Sequence, residues 1–234
     1  MLLRTGLILS LFLSVGAAVP DPQQILQRNF SNWTLAEATR ILNRSPWARK
    51  QTYTRVVGGV GSGIHGEKEI FNSFFVRLLS APPIRRAYAR IQQIQNGYDE
   101  MTPAAKSHLD AGIAPGLNMD VSRWIVVTIS FRSNNPNMEL RVKRFFDSQT
   151  LETMRDRAYL ATESFPRVEL AAYFAPREEA VGAKFVFPRR IDGDPVVSPD
   201  QKEVNFEVNI PSVYRRLRVN FSVSDMLVEG ALVL

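Results

Sequence analysis

Apolar residues recur at helical spacing in the first half of the chain. Thr34 and Glu37 have the spacing of a capping box, so a helix is predicted to begin at Leu35 and to end near Asn43. The apolar residues of this segment share one helix face: Leu35, Ala38, Ile41 and Leu42. The first half therefore opens on an amphipathic helix.

Two further helices are predicted before residue 115. One begins at Pro82 and ends at Asn96–Gly97, a pair typical of a helix C-terminus. The other begins at Pro103 behind the capping residue Thr102 and is expected to end near Gly112. Between the first two helices, residues 51–57 alternate in the manner of a strand.

In the second half of the chain, apolar residues recur at every second position, which is the spacing of a strand. Residues 124–132 and 138–146 flank a loop, 133–137, and are predicted to form a β-hairpin. Further strands are predicted at residues 168–174, 183–187, 204–210, 217–223 and 226–234. One helix, residues 150–157, interrupts this series.

These patterns predict an α+β fold. N-terminal helices with a strand or two, residues 19–115, precede a β-rich C-terminal half, residues 116–234, which forms a sandwich or a curved antiparallel sheet. We expect the two segments to pack together as one domain. With 234 residues and 45% hydrophobic content, the chain has enough apolar material for a core.

The chain contains no cysteine, which excludes thiol catalysis, Cys-ligated zinc and iron–sulfur clusters. Residues 1–18 combine Arg4, an apolar run and small residues ending at Ala18, which predicts a secretory signal peptide. Exported eukaryotic domains commonly rely on disulfides. We therefore expect a secreted or periplasmic bacterial protein with no transmembrane span in the mature chain.

A glycine cluster follows the first predicted strand. Residues 61–66 match the GxGxxG pattern of dinucleotide sites, but no acidic residue follows about 20 positions later. The spacing of apolar residues in the segment 71–79 fits a helix and a strand equally well. A Gly-rich hairpin loop is the preferred interpretation, and no cofactor is predicted.

Candidate catalytic and metal-binding residues are few. The chain has two histidines, His65 and His108, which match no paired metal motif, and no GxSxG motif occurs. Asp192, Asp194 and Asp200 cluster in a region that could bind calcium, although Asp-Gly beside proline is typical of an ordinary turn. We predict neither catalytic nor metal-ligating residues, and a carboxylate pair cannot be located from spacing alone.

The formal net charge is +6, and the excess lies in the first half of the chain: residues 19–115 have 12 basic and 7 acidic side chains. Arg85, Arg86 and Arg90 lie along the predicted second helix and form a candidate anion-binding site. The alternative is a solvated helix face. An anionic surface or a protein is the expected partner, whereas export argues against nucleic acid.

Two motifs support a resemblance. The segment 43–48 reads Asn-Arg-Ser-Pro-Trp-Ala, and after the glycine cluster residues 75–87 read FVRLLSAPPIRRA. This arrangement resembles uncharacterised secreted bacterial proteins that have an SPW segment, a Gly-rich insert and a strand leading into a helix. Where those proteins have Trp-Glu, this chain has Leu78–Leu79. The resemblance implies a strand at residues 71–79 and no particular activity.

The sequence favours an exported, non-enzymatic domain that binds a partner or belongs to the cell envelope. Two alternatives stay open. One is a secreted hydrolase that uses carboxylates, and the other is a binder of anionic surfaces through Arg85, Arg86 and Arg90. Pro46 is expected to stop the first helix, and Trp47 to anchor the next strand to the core.

Overall fold

A computed structural model describes residues 20–58, 67–177, 181–213 and 215–234. The predicted signal peptide, the GxGxxG motif at 61–66 and His65 lie outside these residues. Within the described ranges, none of the helices combines the length and apolarity needed to cross a bilayer.

The described residues contain six helices. Thr34 caps the second of them as predicted, because its hydroxyl accepts from the Glu37 amide and the Glu37 carboxylate accepts from the Thr34 amide. The carboxylate also pairs with Arg28. The helices are α1 (Pro22–Leu26), α2 (Leu35–Arg44), α3 (Pro82–Gln95), α4 (Pro103–Leu117), α5 (Pro136–Asp147) and α6 (Leu151–Arg155).

The described strands form two main sheets, and the neighbouring strands in both sheets are antiparallel. The five-stranded sheet has the order β1-β2-β3-β6-β5: Ala48–Gly58, Glu67–Leu78, Trp124–Ser133, Ala183–Pro188 and Ala172–Phe174. The three-stranded sheet has the order β10-β9-β4: Arg215–Ser222, Glu203–Ile210 and Ala158–Ala161. Two small hairpins complete the strands: β7 (Arg190–Ile191) with β8 (Asp194–Pro195), and β11 (Leu227–Val228) with β12 (Ala231–Leu232).

Aromatic rings join the two sheets. The ring of Phe206 on β9 lies 5.4 Å from that of Phe185 and 6.1 Å from that of Phe187, both on β6. All three side chains are fully buried. Strands from both halves of the chain share the larger sheet, since β1 and β2 precede residue 115 and β3, β5 and β6 follow it. The predicted α+β class is confirmed.

One predicted hairpin is wrong. Its first strand exists as β3, but residues 138–146 belong to α5. The Asn135 side chain accepts from the amides of Asn137 and Met138, and Pro136 occupies the first turn, so the supposed loop is a helix cap. Val142 and Phe146 are buried four residues apart, which is a helical spacing.

Other boundaries also differ from the predictions. Helix α4 continues through Gly112 and Pro115 to Leu117, because its Ile113 side chain is buried and Arg85 donates to the terminal Leu117 carbonyl (3.0 Å). Residues 168–174 form only a bridge at Val168 and the short strand β5. Residues 226–234 form the hairpin β11–β12 instead of one strand. Residues 71–78 belong to strand β2, the element that the resemblance implied, and residue 79 lies in a turn. Helix α1 and strand β4 were not predicted.

The SPW segment connects α2 to β1 and reaches the end of the chain. Trp47 is fully buried, and its indole N–H donates to the Val233 carbonyl. Helix α2 ends at Arg44, and Pro46 follows its C-cap residue, Ser45. The expectation that Pro46 stops the helix and Trp47 anchors the next strand to the core is therefore confirmed.

Arg77 on β2 fastens the end of α2 to the larger sheet. Its guanidinium is buried and donates to the Leu42 carbonyl (2.7 Å), to Asn43 Oδ1 (3.0 Å) and to Ser130 Oγ on β3 (2.9 Å). A fourth bond goes to the Tyr88 hydroxyl on α3 (3.1 Å). Burial lowers the pKa of Arg77, and Tyr88 opposes that shift. One side chain thus links two helices to two strands.

We predict that Trp47→Ala destabilises the protein by about 3–5 kcal/mol, because it leaves a cavity in the core. Trp47→Phe keeps most of the volume but removes the donor to Val233, and we expect a loss of about 1–3 kcal/mol. Chemical denaturation measures both. Amide hydrogen exchange should be faster at Leu227 and Leu232 in Trp47→Phe and unchanged in β3. If Trp47→Phe changed the exchange rates of Leu227, Leu232 and β3 by the same factor, this role of the indole would be contradicted.

Acid stability should depend on Glu37. Desolvation raises the pKa of this carboxyl, but the Thr34 amide and Arg28 outweigh it, so the pKa is lowered. A carboxyl with a lowered pKa stabilises the fold above its unfolded pKa of about 4.3 and loses that effect as pH falls through the folded pKa. Glu37→Gln should cost about 1 kcal/mol at neutral pH, and the difference should vanish in acid. A pH-independent difference between the two unfolding curves would refute this.

Candidate functional site

A cleft of about 890 Å³ lies at the end of α2. It lies between the start of α1, the SPW segment and the first residues of β1. We call it the basic cleft, because four basic side chains line it: Arg40, Arg44, Arg49 and Lys50. Its other polar side chains include Asp21, Asn43, Ser45 and Asp225.

Arg49 shapes the wall of the basic cleft. Its Nη1 donates to the carbonyls of Ser45 (2.9 Å) and Pro46 (3.2 Å), and its Nε donates to the Asn220 carbonyl on β10 (3.0 Å). Burial lowers the pKa of Arg49, and the Asp225 carboxylate acts in the opposite direction. Arg49 therefore holds the turn after α2 against the smaller sheet.

Arg44 and Lys50 supply the exposed positive charge of the cleft. The Lys50 ammonium lies 5.4 Å from the centre of the Phe75 ring, which forms part of the wall. Cations near an aromatic face are attracted by the ring, so Phe75 helps to position this charge. The basic cleft thus combines cations with an aromatic ring in its wall.

Two neutral groups add hydrogen-bonding capacity. Ser45 is only 3% exposed, and its hydroxyl has no hydrogen-bond partner among the described residues. Asn43 accepts from Arg77 through Oδ1, so the remaining group of its amide is a donor. A buried polar group without a partner is costly in a folded protein, and a ligand in the cleft could satisfy it.

Carboxylates are also present in the basic cleft. Asp21 caps α1 by accepting from the Gln23 amide (3.0 Å), and Asp225 lies in the turn before β11. Neither belongs to a metal-binding group, since the described residues hold no cluster of three or more His, Cys, Asp or Glu side chains suited to a metal ion. Of the described acids in the cleft, Asp21 is thus the N-cap of α1, and Asp225 interacts electrostatically with Arg49.

The three arginines predicted on α3 do not form a common site. Arg90 is buried, donates to the Trp33 carbonyl (2.7 Å) and pairs with both carboxylate oxygens of Asp99 (3.1 and 2.9 Å). Arg85 donates to the carbonyls of Ser80 (2.6 Å) and Leu117, and burial lowers its pKa. Arg86 is exposed. The alternative of a solvated face therefore holds for Arg86 and is wrong for Arg90.

The predicted acidic cluster forms an ordinary turn. Asp192 and Gly193 have φ values of 52° and 93° and connect β7 to β8, which is the geometry of a tight two-residue hairpin. Gly193 accepts from Arg190 Nη1 through its carbonyl (2.7 Å). Hydrogen bonds from Ser198 and from its own amide lower the pKa of Asp200. Among the residues that the structure describes, Asp192, Asp194 and Asp200 belong to no cluster of three or more side chains suited to a metal ion.

His108 is exposed on α4. The nearby Asp110 does not orient this histidine, because it accepts from the Gln93 amide (3.0 Å) and from the Tyr98 hydroxyl. The hydrogen bond between the Tyr98 hydroxyl and Asp110 raises the pKa of Tyr98. A hydroxyl–imidazole–carboxylate arrangement is thus not built around His108 in the described structure.

A charged cluster lies on the outer face of the smaller sheet. The Glu207 carboxylate is buried between Arg216 (3.6 Å) and Arg218 (3.5 Å), both largely exposed. Its hydrogen bond with Tyr159 raises the pKa of that phenol, and Arg167 lies 4.7 Å from the Tyr159 ring centre. Arg216 and Arg218 thus lie two positions apart on the outward face of β10.

Sequence reasoning missed the basic cleft. The signal was available, because Arg40, Arg44, Arg49 and Lys50 fall within eleven positions around the SPW segment. The sequence favoured α3 instead, because Arg85, Arg86 and Arg90 lie along one side of the predicted helix. A helix periodicity shows which residues share a face but not which of them the tertiary structure uses internally.

We predict that Arg90→Gln destabilises the protein by about 3 kcal/mol or more, because it leaves buried acceptors at Trp33 and removes the Asp99 pair. The matched variant Arg86→Gln should change stability by less than about 0.5 kcal/mol, since this side chain is exposed. Urea denaturation of both variants makes the comparison. Similar losses in the two variants would show that α3 is not held in this way.

None of the protein-family models, curated proteins or solved structures compared with the chain matches it. The resemblance of residues 30–95 to secreted bacterial proteins therefore stays a prediction. The cleft consequently has to be interpreted from its own residues, their charges and their hydrogen bonds.

Proposed function

We propose that the protein is an exported, non-enzymatic binding domain and that the basic cleft takes an anionic ligand. The observation that carries this proposal is the lining of the cleft, in which Arg40, Arg44, Arg49 and Lys50 outnumber Asp21 and Asp225. A concave surface with an excess of one sign concentrates ligands of the opposite charge.

The chemistry of the lining favours oxyanions. Arginine presents a planar fork of donors that matches phosphate and carboxylate groups, and lysine adds a mobile point charge. Asn43 and Ser45 offer neutral hydrogen bonds next to these cations. The volume of about 890 Å³ accommodates a ligand larger than a single phosphate or sulfate group.

The export part of the proposal rests on residues 1–18, which have the charge and apolar pattern of a signal peptide. A secreted or periplasmic location would expose the basic cleft to envelope anions and not to the nucleotides of the cytoplasm. Expression with residues 1–18 present and absent, followed by cell fractionation, tests this part separately. Retention of both forms in the cytoplasm would contradict export.

A carboxylate hydrolase is the second candidate, because Asp21 and Asp225 both line the basic cleft. Paired carboxylates are the usual acid–base machinery of glycoside hydrolysis. Hydrolysis of glycosidic, ester or peptide substrates that disappears in Asp225→Asn would favour this candidate over a binding domain.

The binding proposal is tested by titration calorimetry with inositol hexakisphosphate, a soluble polyanion. We expect binding that weakens with added salt, because the exposed cations Arg44 and Lys50 are screened. Arg44→Gln and Lys50→Gln should each weaken it by about threefold to tenfold.

Arg86→Gln is the matched control, since it removes an exposed arginine of α3 that does not line the cleft. It should leave the affinity unchanged. Equal weakening in Arg86→Gln and Arg44→Gln would indicate attraction by the overall charge, and no binding at low salt would overturn the proposal.

A further inference from the structure

The basic cleft continues into a groove on the exposed side of α2. The groove has a volume of about 630 Å³ and shares Arg40, Asn43 and Arg44 with the cleft. Its remaining described lining is Leu35, Ala36 and Thr39. Leu35 is 48% exposed. The groove therefore has Arg40 and Arg44 where it joins the cleft and an exposed apolar side chain elsewhere in its lining.

Two more apolar side chains share the sheet face on which the cleft lies. Val56 is 58% exposed and Phe71 43% exposed. Residues of a strand alternate between faces, so Lys50 and Val56 on β1 share one face, and the pairs Lys50–Phe75 and Thr54–Phe71 place both phenylalanines there too. Strand β2 pairs with β3 only from Asn72 onward. Val56 and Phe71 therefore lie where β1 and β2 continue as a two-stranded ribbon beyond the end of β3.

The described residues include five exposed large hydrophobic side chains, and three of them are Leu35, Val56 and Phe71. Leu35 borders the cleft through the shared groove, and the other two share the face of Lys50. Exposed apolar groups that adjoin a set of cations are characteristic of surfaces that bind at a membrane interface.

We propose that this side of the molecule docks on a bilayer that contains anionic phospholipid. The lipid phosphates would occupy the basic cleft, while Leu35, Val56 and Phe71 enter the region between headgroups and acyl chains. The inference rests on the proposed function, since it names the source of the anion that the cleft takes. An anionic polysaccharide is the competing source, but it offers hydroxyl and carboxylate groups and would leave Leu35 and Val56 without an apolar partner.

The test is co-sedimentation of the protein without residues 1–18 with phosphatidylglycerol–phosphatidylcholine vesicles and with phosphatidylcholine vesicles. We expect binding to the anionic vesicles alone, weakened by salt. Leu35→Ser combined with Phe71→Ser should weaken vesicle binding about tenfold or more, because two apolar side chains no longer leave water. Arg44→Gln should weaken it about fivefold.

Two matched controls change equivalent side chains elsewhere. Leu140→Ser alters another exposed leucine, on α5, and Arg86→Gln alters an exposed arginine, on α3; neither residue lines the cleft or the groove. Both should bind vesicles like the unaltered protein. Thermal unfolding should be nearly unchanged in every variant, since all the altered side chains are exposed.

The outcomes separate the two proposals. Binding of inositol hexakisphosphate together with loss of vesicle binding in the leucine–phenylalanine variant supports both. If inositol hexakisphosphate binds but vesicles do not, or if the leucine–phenylalanine variant binds them normally, the membrane inference fails and the anion cleft stands. Equal binding to neutral vesicles also overturns the inference. If neither the soluble anion nor the vesicles bind, both proposals fail.

Discussion

The buried guanidinium of Arg77 is the interaction on which the arrangement of helices and sheet depends. A charge in a protein interior is costly unless hydrogen bonds surround it. Arg77 meets this condition by taking acceptors from α2, β3 and α3 at once, among them the Leu42 carbonyl that the end of α2 leaves without a helical partner. The position of α2 on the sheet, and with it the basic cleft, follows from that set of bonds.

Other arginines act in the same way. Arg49 and Arg85 donate to carbonyls where the chain leaves a helix or a strand, and Arg189 donates to Val121 (3.2 Å) and to Leu234 (2.7 Å). The chain lacks cysteine, so no disulfide can join these turns. The planar fork of arginine can hold several carbonyls at once, which lysine cannot do in a fixed geometry. Much of the basic composition therefore serves the fold.

The division between internal and exposed arginines is what directs the functional proposals. Arg85 and Arg90 use their donors within the protein, whereas Arg44 and Lys50 stand exposed in a cleft. The same α2 that Arg77 fixes to the sheet brings Leu35 into the groove that extends the cleft. The two proposals, anion binding and membrane docking, thus both depend on where α2 ends.

The sequence alone determined the local features: the capping box of α2, the start and stop of α3, the alternation of β9 and β10, and the absence of thiol chemistry. These depend on residues close together in the chain, whose spacing sets hydrogen bonds and faces directly. It predicted a strand at residues 138–146 because apolar spacing there fits two periods, and the Asn135–Pro136 helix cap decides between them.

Only the tertiary structure decided which arginines are internal and where a cleft forms. Arg86 and Arg90 look alike in the sequence, yet Arg90 is buried because the Trp33 carbonyl and Asp99 come to it from other segments. The basic cleft likewise needs α1, α2, β1 and the turn at Asp225 to meet. Such contacts join residues far apart in the chain, and no spacing rule encodes them, because they are set by how the apolar faces of separate elements pack together.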